Sequence, residues 1–207
     1  MKTLCYILTA AAAYFTGCLN PAYFISKRKG IDMRSGGSGN LGTCNSVLML
    51  GMRWGSIVFL YDAGKAILAV LLAGHLFSGL PYIGAAAGIG CVLGHIFPFY
   101  LRFRGGKGFA SFLGMTLALD WRLGLAVLAA TAVITVLTDH IVYATASTVV
   151  FVPLYFLTVK DEPVTALLLC IPTAVILWKH RENFIRLRKG TEISLRDALK
   201  DKRGKAA

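Results

Sequence analysis

The sequence has few charged residues and, among them, few acidic ones. Only 15% of its 207 residues are charged, whereas a soluble domain of this size carries about 25%. Hydrophobic residues make up 56% of the chain, and the mean hydropathy is +0.65. This composition excludes an ordinary soluble domain and predicts a polytopic, all-α membrane protein with one compact domain.

The shortage of acidic residues leaves a net charge of +12, from 22 Lys and Arg against 10 Asp and Glu. In a membrane protein such an excess keeps basic loops on the cytoplasmic side. It therefore does not indicate a nucleic-acid partner. An anionic lipid surface or a phosphorylated substrate fits this charge better.

The sequence also lacks any CxxC pair. Its five cysteines are Cys5, Cys18, Cys44, Cys91 and Cys170, and four of them lie in apolar stretches. They are typical of small buried hydrophobic residues, not of metal ligands or a disulfide framework. We therefore expect no metal and no cofactor.

Apolar runs recur along the chain with short breaks between them. We predict spans at residues 3–25, 54–76, 81–101, 109–119, 122–138, 141–159 and 163–179. The first run resembles a secretory signal, but it is long enough to cross a bilayer at about 20 residues. Lys27, Arg28 and Lys29 follow it, which predicts an uncleaved helix with its C-terminal flank inside.

The segment 109–119 is short for an ordinary crossing, and charge parity tests whether it crosses. With about seven crossings and the N-terminus outside, every strongly basic loop and the C-terminus are cytoplasmic. If the segment 109–119 did not cross, the basic tail would lie outside. We therefore predict one membrane domain over residues 1–194 and a basic cytoplasmic tail over residues 195–207.

Three polar, glycine-rich or basic clusters interrupt the apolar chain, each at the end of a span. The first cluster (residues 35–45) reads SGGSGNLGTCN, the second cluster (residues 102–111) reads RFRGGKGFAS, and the third cluster (residues 180–192) reads HRENFIRLRKGTE. Parity places all three on the cytoplasmic side. They can therefore meet to form one site for a negatively charged substrate.

The second cluster has the composition of a phosphate cradle. Gly105, Gly106 and Gly108 let backbone N–H groups approach an anion, and the start of a helix supplies unpaired donors. Lys107 adds positive charge, as do Arg102 and Arg104. The Walker spacing is absent, so this is not a nucleotide P-loop. The alternative is a basic turn that only sets topology.

The first cluster is polar and nearly uncharged. Ser38, Asn40, Thr43 and Asn45 offer hydroxyl and amide groups among glycines that weaken any helix. Such a loop can form a nest of donors around an oxyanion or phosphate. The alternative is a loose linker.

The third cluster carries the titratable group best suited to moving protons near neutrality. If it is helical, His180, Asn183 and Arg186 share roughly one face by their i, i+3 spacing. Elsewhere, Asp62 and Lys65 lie inside an apolar span, where ionisable groups are costly. Their spacing favours a structural ion pair over direct substrate contact.

At these residues the chain resembles the PlsY family of bacterial acyl-phosphate:glycerol-3-phosphate acyltransferases. The motifs GSGNLGTCN, RGGKG and HRENFIRLRKGTE occur in the family's order, and the third match is the most specific. The resemblance implies transfer of a fatty acyl group from acyl phosphate to the 1-hydroxyl of glycerol 3-phosphate. The products would be lysophosphatidic acid and phosphate, at the cytoplasmic face of the bacterial inner membrane.

The resemblance also implies roles for individual residues. Ser38, Lys107, His180 and Asn183 would be catalytic. The second-cluster residues Gly105, Gly106, Lys107 and Gly108 would bind the phosphate of glycerol 3-phosphate, and Ser38, Asn40 and Asn45 would line the acyl-phosphate end. Glu182 would hold the loops together. Further substrate contacts would come from Gly39, Gly42, Arg102, Arg104 and Arg186.

The chain departs from the family pattern in the first cluster. The family usually has an arginine three residues after Asn45, where this chain has Leu48. The chain therefore lacks a guanidinium group that can bind a phosphate through two hydrogen bonds, and a lysine elsewhere would not replace it well. The departure leaves two alternatives open: a diverged paralogue with another acyl donor or acceptor, and a membrane protein that binds an anionic lipid without catalysis.

Overall fold

The computed structural model describes residues 1–200, and this part of the chain is helical. The helices are α1 (Lys2–Cys18), α2 (Pro21–Arg28), α3 (Thr43–Leu50), α4 (Met52–Leu76), α5 (Ile83–Ile96), α6 (Phe109–Leu119), α7 (Trp121–Thr138), α8 (Ile141–Thr158), α9 (Pro163–Lys179), α10 (Arg181–Arg188) and α11 (Leu195–Lys200). A 3₁₀ turn lies at Phe99–Leu101. Residues 201–207 of the predicted tail lie outside the described residues.

Large apolar side chains remain exposed along the outer faces of the long helices. Leu68 and Leu72 of α4, Leu137 of α7 and Leu167 of α9 are all more than half exposed. An apolar belt of this kind requires hydrocarbon around it, because in water it would drive association. The prediction of an all-helical, multi-pass membrane protein is confirmed.

The number of crossings can be compared with the prediction of seven. Within residues 1–200, five segments are long and apolar enough to cross a membrane, and there are six if α9 and α10, bent by 45° relative to each other, count as one span. The remaining predicted crossing is α6, with 11 residues. The count of seven and the orientation of the termini stay predictions.

Contacts between loops divide the bundle into two ends. At one end, Tyr6 donates a hydrogen bond to the Pro81 carbonyl, and Lys160 pairs with Asp120 at 2.6 Å. At the opposite end, the Leu195 N–H donates to the Asp139 carbonyl at 2.7 Å. The three clusters lie at this second end, which we call the cluster end. These contacts separate the loops around Pro81, Asp120 and Lys160 from the end that holds the three clusters.

The shortness of α6 follows from the path of the chain before it. After α5, the second cluster turns back along the last turn of that helix, where Gly105 N–H donates to the Ile96 carbonyl and Gly106 N–H to the His95 carbonyl. Ser111, in the first turn of α6, donates to the Asp62 carbonyl at 3.0 Å. At 1.5 Å per residue, Asp62 lies about 15 Å along α4 from its start. Because α6 begins this deep, 11 residues take it to the far end of the bundle.

The first apolar run, predicted as one span over residues 3–25, is broken at Leu19 and Asn20. Helix α1 ends at Cys18, and α2 begins at Pro21, with the Asn20 side chain accepting a hydrogen bond from Tyr23 N–H. Asn20 also donates to the Leu41 carbonyl at 3.1 Å, and it is fully buried. The break therefore anchors the first cluster to the membrane domain.

Helices α1 and α5 pack in close backbone contact. Gly90 and Gly94 of α5 face the backbone of Ala10 and Tyr14, and Gly17 of α1 faces the backbone of Cys91. Small residues allow helices in a membrane to approach closely enough for extensive van der Waals contact. This contact fixes the end of α5, from which the second cluster starts.

The packing predicts opposite effects for two glycine substitutions. In Gly94→Ala the new methyl group overlaps the Tyr14 backbone, so we expect a loss of roughly 1–3 kcal/mol, typical of overpacking. Gly74 lies in α4 with open space around it, so Gly74→Ala should leave stability unchanged or slightly higher. Thermal unfolding in detergent measures both, and equal midpoints for the two variants would contradict the close contact.

Candidate functional site

Two hydrogen bonds connect the clusters at the cluster end. Arg34, directly before the first cluster, donates to the Arg104 carbonyl of the second cluster at 2.9 Å. Lys107 of the second cluster donates to the Asn183 side-chain carbonyl of the third cluster at 2.5 Å. Cys44, in the first turn of α3, lies within electrostatic reach of Lys107. The structure thus brings the three clusters together.

Lys107 belongs to a chain of polar contacts that ends on a carboxylate. The Asn183 amide accepts from Lys107 and donates to Glu192 Oε1 at 2.6 Å. Glu192 Oε2 accepts from Arg186 Nε at 2.7 Å. The carboxylate therefore pairs with Arg186, and a neutral amide separates it from Lys107.

The electrostatics of Lys107 suit it to bind an anion. Burial lowers the pKa of Lys107 below the ordinary lysine value, and the charge of Arg186 acts in the same direction. Its ammonium group is therefore poorly stabilised by its present surroundings. A phosphate group beside it would supply the missing negative charge through charge-assisted hydrogen bonds.

His180 lies buried at the junction of α9 and α10. Its Nδ1 is 2.8 Å from the Ile176 carbonyl, which can only accept, so Nδ1 carries the proton and Nε2 has a free lone pair. Burial lowers the pKa of His180 to about 4, and the charge of Lys107 contributes. At neutral pH the imidazole is therefore uncharged, a hydrogen-bond acceptor at Nε2 and a weak base.

Two glycines of the second cluster have their N–H groups bonded within the protein. The N–H groups of Gly105 and Gly106 donate to α5 carbonyls. Gly108 has φ 93° and caps α6, a conformation that favours glycine. Backbone donors without intrahelical partners lie in the first turn of α6, from Phe109 to Ser111.

The two arginines of the second cluster lie at the surface of the cluster end. Arg102 and Arg104 are both exposed. The backbone of Arg102 is left-handed, at φ 54°, where the chain reverses after the 3₁₀ turn. The structure places neither guanidinium in the Lys107–Asn183–Glu192 chain of contacts.

The first cluster is shaped by a buried amide. Asn45 is fully buried; its Oδ1 accepts from Ser38 N–H at 2.8 Å, and its Nδ2 donates to the Met33 carbonyl at 2.7 Å. Its side chain is therefore occupied by the loop itself. Ser38 and Asn40 are half-buried, Gly39 has φ 66°, and Gly42 caps α3. The loop is an ordered turn built around Asn45.

The acidic residue that joins the third cluster is not the predicted one. Glu182 is 68% exposed and lies 3.7 Å from Arg181. Glu192, at the end of the motif, is the carboxylate that holds Asn183 and Arg186. The family resemblance implies this role for Glu182, whereas Glu192 lies beyond α10 and reaches back to it, which local spacing does not reveal.

The predicted Asp62–Lys65 ion pair is confirmed, at 2.7 Å. His95 joins it, with Nδ1 3.2 Å from Asp62 Oδ1. Sequence reasoning missed His95 because it lies 33 residues from Asp62 on another helix. Over the described residues 1–200, no three His, Cys, Asp or Glu side chains are arranged to hold a metal ion.

The low pKa of His180 predicts a specific pH dependence of stability. Between an ordinary pKa of 6.5 and the folded value of about 4, the unfolded chain binds a proton that the folded chain does not. The free energy of unfolding must therefore fall as the pH drops through this window. In His180→Gln this contribution is absent, so the thermal midpoint should fall less between pH 7 and pH 5. The control is His75→Gln at an exposed position, and identical pH slopes in His180→Gln and the parent would refute the assignment.

Comparison with known proteins gives consistent matches over nearly the whole chain. A family model described as glycerol-3-phosphate acyltransferase matches residues 7–190. A glycerol-3-phosphate acyltransferase of Prochlorococcus marinus (strain MIT 9312) is 35% identical, over 90% of this chain and 95% of the relative. One of Coxiella burnetii (strain RSA 493 / Nine Mile phase I) is 37% identical, over 91% and 97%.

Two solved structures share the fold. A crystal structure of PlsY, an integral membrane glycerol 3-phosphate acyltransferase, in its glycerol 3-phosphate form has a TM-score of 0.86 and 30% identity, covering 91% of this chain and 94% of that one. Its lysophosphatidic acid form has a TM-score of 0.83 and 29% identity, covering 94% and 98%.

Proposed function

Because this chain belongs to the glycerol-3-phosphate acyltransferase family, it is a membrane acyltransferase, and we propose that the site formed by the three clusters takes acyl phosphate as its donor. The fatty acyl group moves to the 1-hydroxyl of glycerol 3-phosphate and gives lysophosphatidic acid. The resemblance to PlsY supports this donor. An acyl phosphate is already activated, so the reaction consumes no nucleotide.

The observation that carries the proposal is the environment of Lys107. Its ammonium group is partly buried, is held by a neutral amide and lies in the same cluster of loops as His180. We assign Lys107 and the first-turn N–H groups of α6 to the phosphate of glycerol 3-phosphate. Ser38 and Asn40 then face the acyl phosphate, with Asn45 keeping their loop in shape. Binding both anionic substrates in the geometry for reaction raises the rate mainly because the entropic cost of bringing them together is already met on binding.

Bond changes balance without a covalent enzyme intermediate. The hydroxyl oxygen of the acceptor attacks the acyl carbon, the bond from that carbon to the phosphate oxygen breaks, and phosphate leaves. The hydroxyl proton has two candidate acceptors, His180 and the departing phosphate. Bond cleavage leaves an extra negative charge on the departing phosphate, whereas the pKa of His180 is only about 4, so the proton ends on the departing phosphate. His180 Nε2 orients the hydroxyl, and Asn183 keeps Lys107 in place.

The membrane orientation is also a proposal. Lys27, Arg28 and Lys29 lie at the cluster end of α2, and the exposed Arg102 and Arg104 lie at the same end. Excess positive charge marks the cytoplasmic side of a membrane protein. The site then faces the cytoplasm of the bacterial inner membrane, where both water-soluble and membrane-bound substrates reach it.

Removal of the Lys107 charge tests the proposed reaction. With palmitoyl phosphate and glycerol 3-phosphate in detergent, phosphate release should depend on both substrates. In Lys107→Ala we expect kcat/KM to fall by about a hundredfold or more, as for loss of one essential charged donor. Lys189→Ala, at an exposed position of the third cluster, should match the parent. No phosphate release from the parent with any polyol phosphate would reject the enzymatic function in favour of anionic-lipid binding.

Leu48 tests whether the chain has diverged from the family reaction. Its methyl group lies beneath Gly37 of the first cluster, where the family's arginine would present a guanidinium fork. Leu48→Arg should lower KM for palmitoyl phosphate or for glycerol 3-phosphate by a few-fold, because a bidentate donor is restored. Leu48→Met is the matched control, since it conserves volume without charge. An unchanged KM in Leu48→Arg would indicate that another residue replaces the arginine or that the natural substrate differs.

A further inference from the structure

A buried polar cluster lies beneath the second cluster and takes no direct part in the proposed chemistry. Asp62, Lys65 and His95 are 1%, 5% and 2% exposed. Asp62 Oδ1 is 2.7 Å from Lys65 Nζ and 3.2 Å from His95 Nδ1. We call these three residues the buried triad.

The hydrogen bonds of Lys65 fix the protonation of the triad. An ammonium group has three N–H donors, and Lys65 has three oxygen acceptors: the Gly17 carbonyl at 2.9 Å, the Leu19 carbonyl at 2.8 Å and Asp62 Oδ1. His95 Nδ1 lies 3.1 Å from Lys65 Nζ and 3.2 Å from Asp62 Oδ1. With the three ammonium N–H groups directed at oxygens, the arrangement favours a proton on Nδ1 that is donated to Asp62 Oδ1. That leaves the lone pair on His95 Nε2.

The side of the imidazole that carries Nε2 lies against the second cluster. Any Cβ at Gly106 would overlap the His95 ring, and the His95 carbonyl accepts from Gly106 N–H at 3.1 Å. On the other side of Lys107, Ser111 donates to the backbone carbonyl of Asp62 at 3.0 Å. The triad therefore touches the chain directly before and shortly after Lys107.

We propose that the buried triad is a positioning element that sets the place of Lys107, with His95 supporting the loop from below and Lys65 anchoring the assembly to the broken end of α1. The proposal rests on the proposed function in one respect, namely that Lys107 binds a phosphate group of a substrate. Asp62, Lys65 and His95 touch no substrate; they act through Gly106 and Ser111.

A role in stability alone explains the triad poorly. A buried ion pair gains little over well-packed apolar residues of the same volume, because desolvation offsets the attraction. Here the charged groups bridge α1, α4 and α5, and the backbone carbonyl of Asp62 accepts from Ser111 at the start of α6. The second cluster connects α5 to α6, so the triad contacts the helices on both sides of the loop that carries Lys107.

The test uses His95→Asn, Gly106→Ala and the double variant in the full-length protein. Asparagine keeps an N–H near the position of Nδ1 for Asp62 but removes the part of the ring that contacts Gly106. Thr131→Val is the matched control, because it removes a buried 3.3 Å contact with Thr148 between α7 and α8, away from the clusters. Two readouts are needed: KM for each substrate, and the rise in thermal midpoint with inorganic phosphate.

A positioning role predicts a selective effect. In His95→Asn, KM for glycerol 3-phosphate should rise about tenfold or more, as for loss of a group that orients a ligand-binding side chain. KM for palmitoyl phosphate should stay within about a factor of two. Gly106→Ala should raise the same KM, and the double variant should be no worse than His95→Asn, because the smaller side chain makes room for the methyl group.

Other outcomes overturn the proposal. Unchanged KM values with a lower thermal midpoint in His95→Asn, as expected for Thr131→Val, would reduce the triad to a stabilising contact. If the increases in KM caused by His95→Asn and by Gly106→Ala multiply in the double variant, the two groups do not act on each other. The rise in thermal midpoint with inorganic phosphate is measured without turnover. If the parent protein binds phosphate but is inactive, only the proposed function is rejected. If phosphate raises the midpoint of the parent and of His95→Asn equally, the positioning role is rejected.

Discussion

An ammonium group inside a membrane has to find its hydrogen-bond acceptors within the protein, and Lys65 finds them at the end of a helix. Helix α1 stops at Cys18, which frees carbonyl groups that no further turn satisfies, and Lys65 takes those of Gly17 and Leu19. The charge also meets the negative end of the helix dipole. The cation and the helix end thus satisfy each other. The contact lies at the break in the first apolar run, where Asn20 and Pro21 start α2 and Asn20 holds the first cluster through Leu41.

The same part of the bundle explains how a polar site forms at the end of an apolar protein. The second cluster does not stay at the surface; it turns back along α5 and enters the bundle to the level of Asp62. Irregular backbone at that depth is tolerated only where its polar groups are satisfied by protein. The N–H groups of Gly105 and Gly106 are satisfied by α5 carbonyls, so the loop can present the Lys107 ammonium group in a partly dehydrated setting.

Global features of the sequence predicted more than local ones did. Charge parity anticipated that the three clusters meet, because the cost of moving basic loops across a membrane acts on the whole chain. The i, i+3 spacing of Asp62 and Lys65 predicted their ion pair. The resemblance assigned the joining role to Glu182, whereas Glu192 holds Asn183 and Arg186. Local spacing missed His95, since contacts across helices leave no mark in spacing. Composition also assigned phosphate contacts to the N–H groups of Gly105 and Gly106 and to the Asn45 amide, which the structure shows bonded to other parts of the protein.

A structure of the protein with glycerol 3-phosphate bound tests whether the three clusters form one phosphate-binding site around Lys107. We expect the phosphate group within hydrogen-bond distance of Lys107 Nζ and of the N–H groups in the first turn of α6, with the hydroxyl end towards His180. A phosphate group bound instead among surface cations such as Arg28 and Lys29, with Lys107 still held by Asn183, would contradict it.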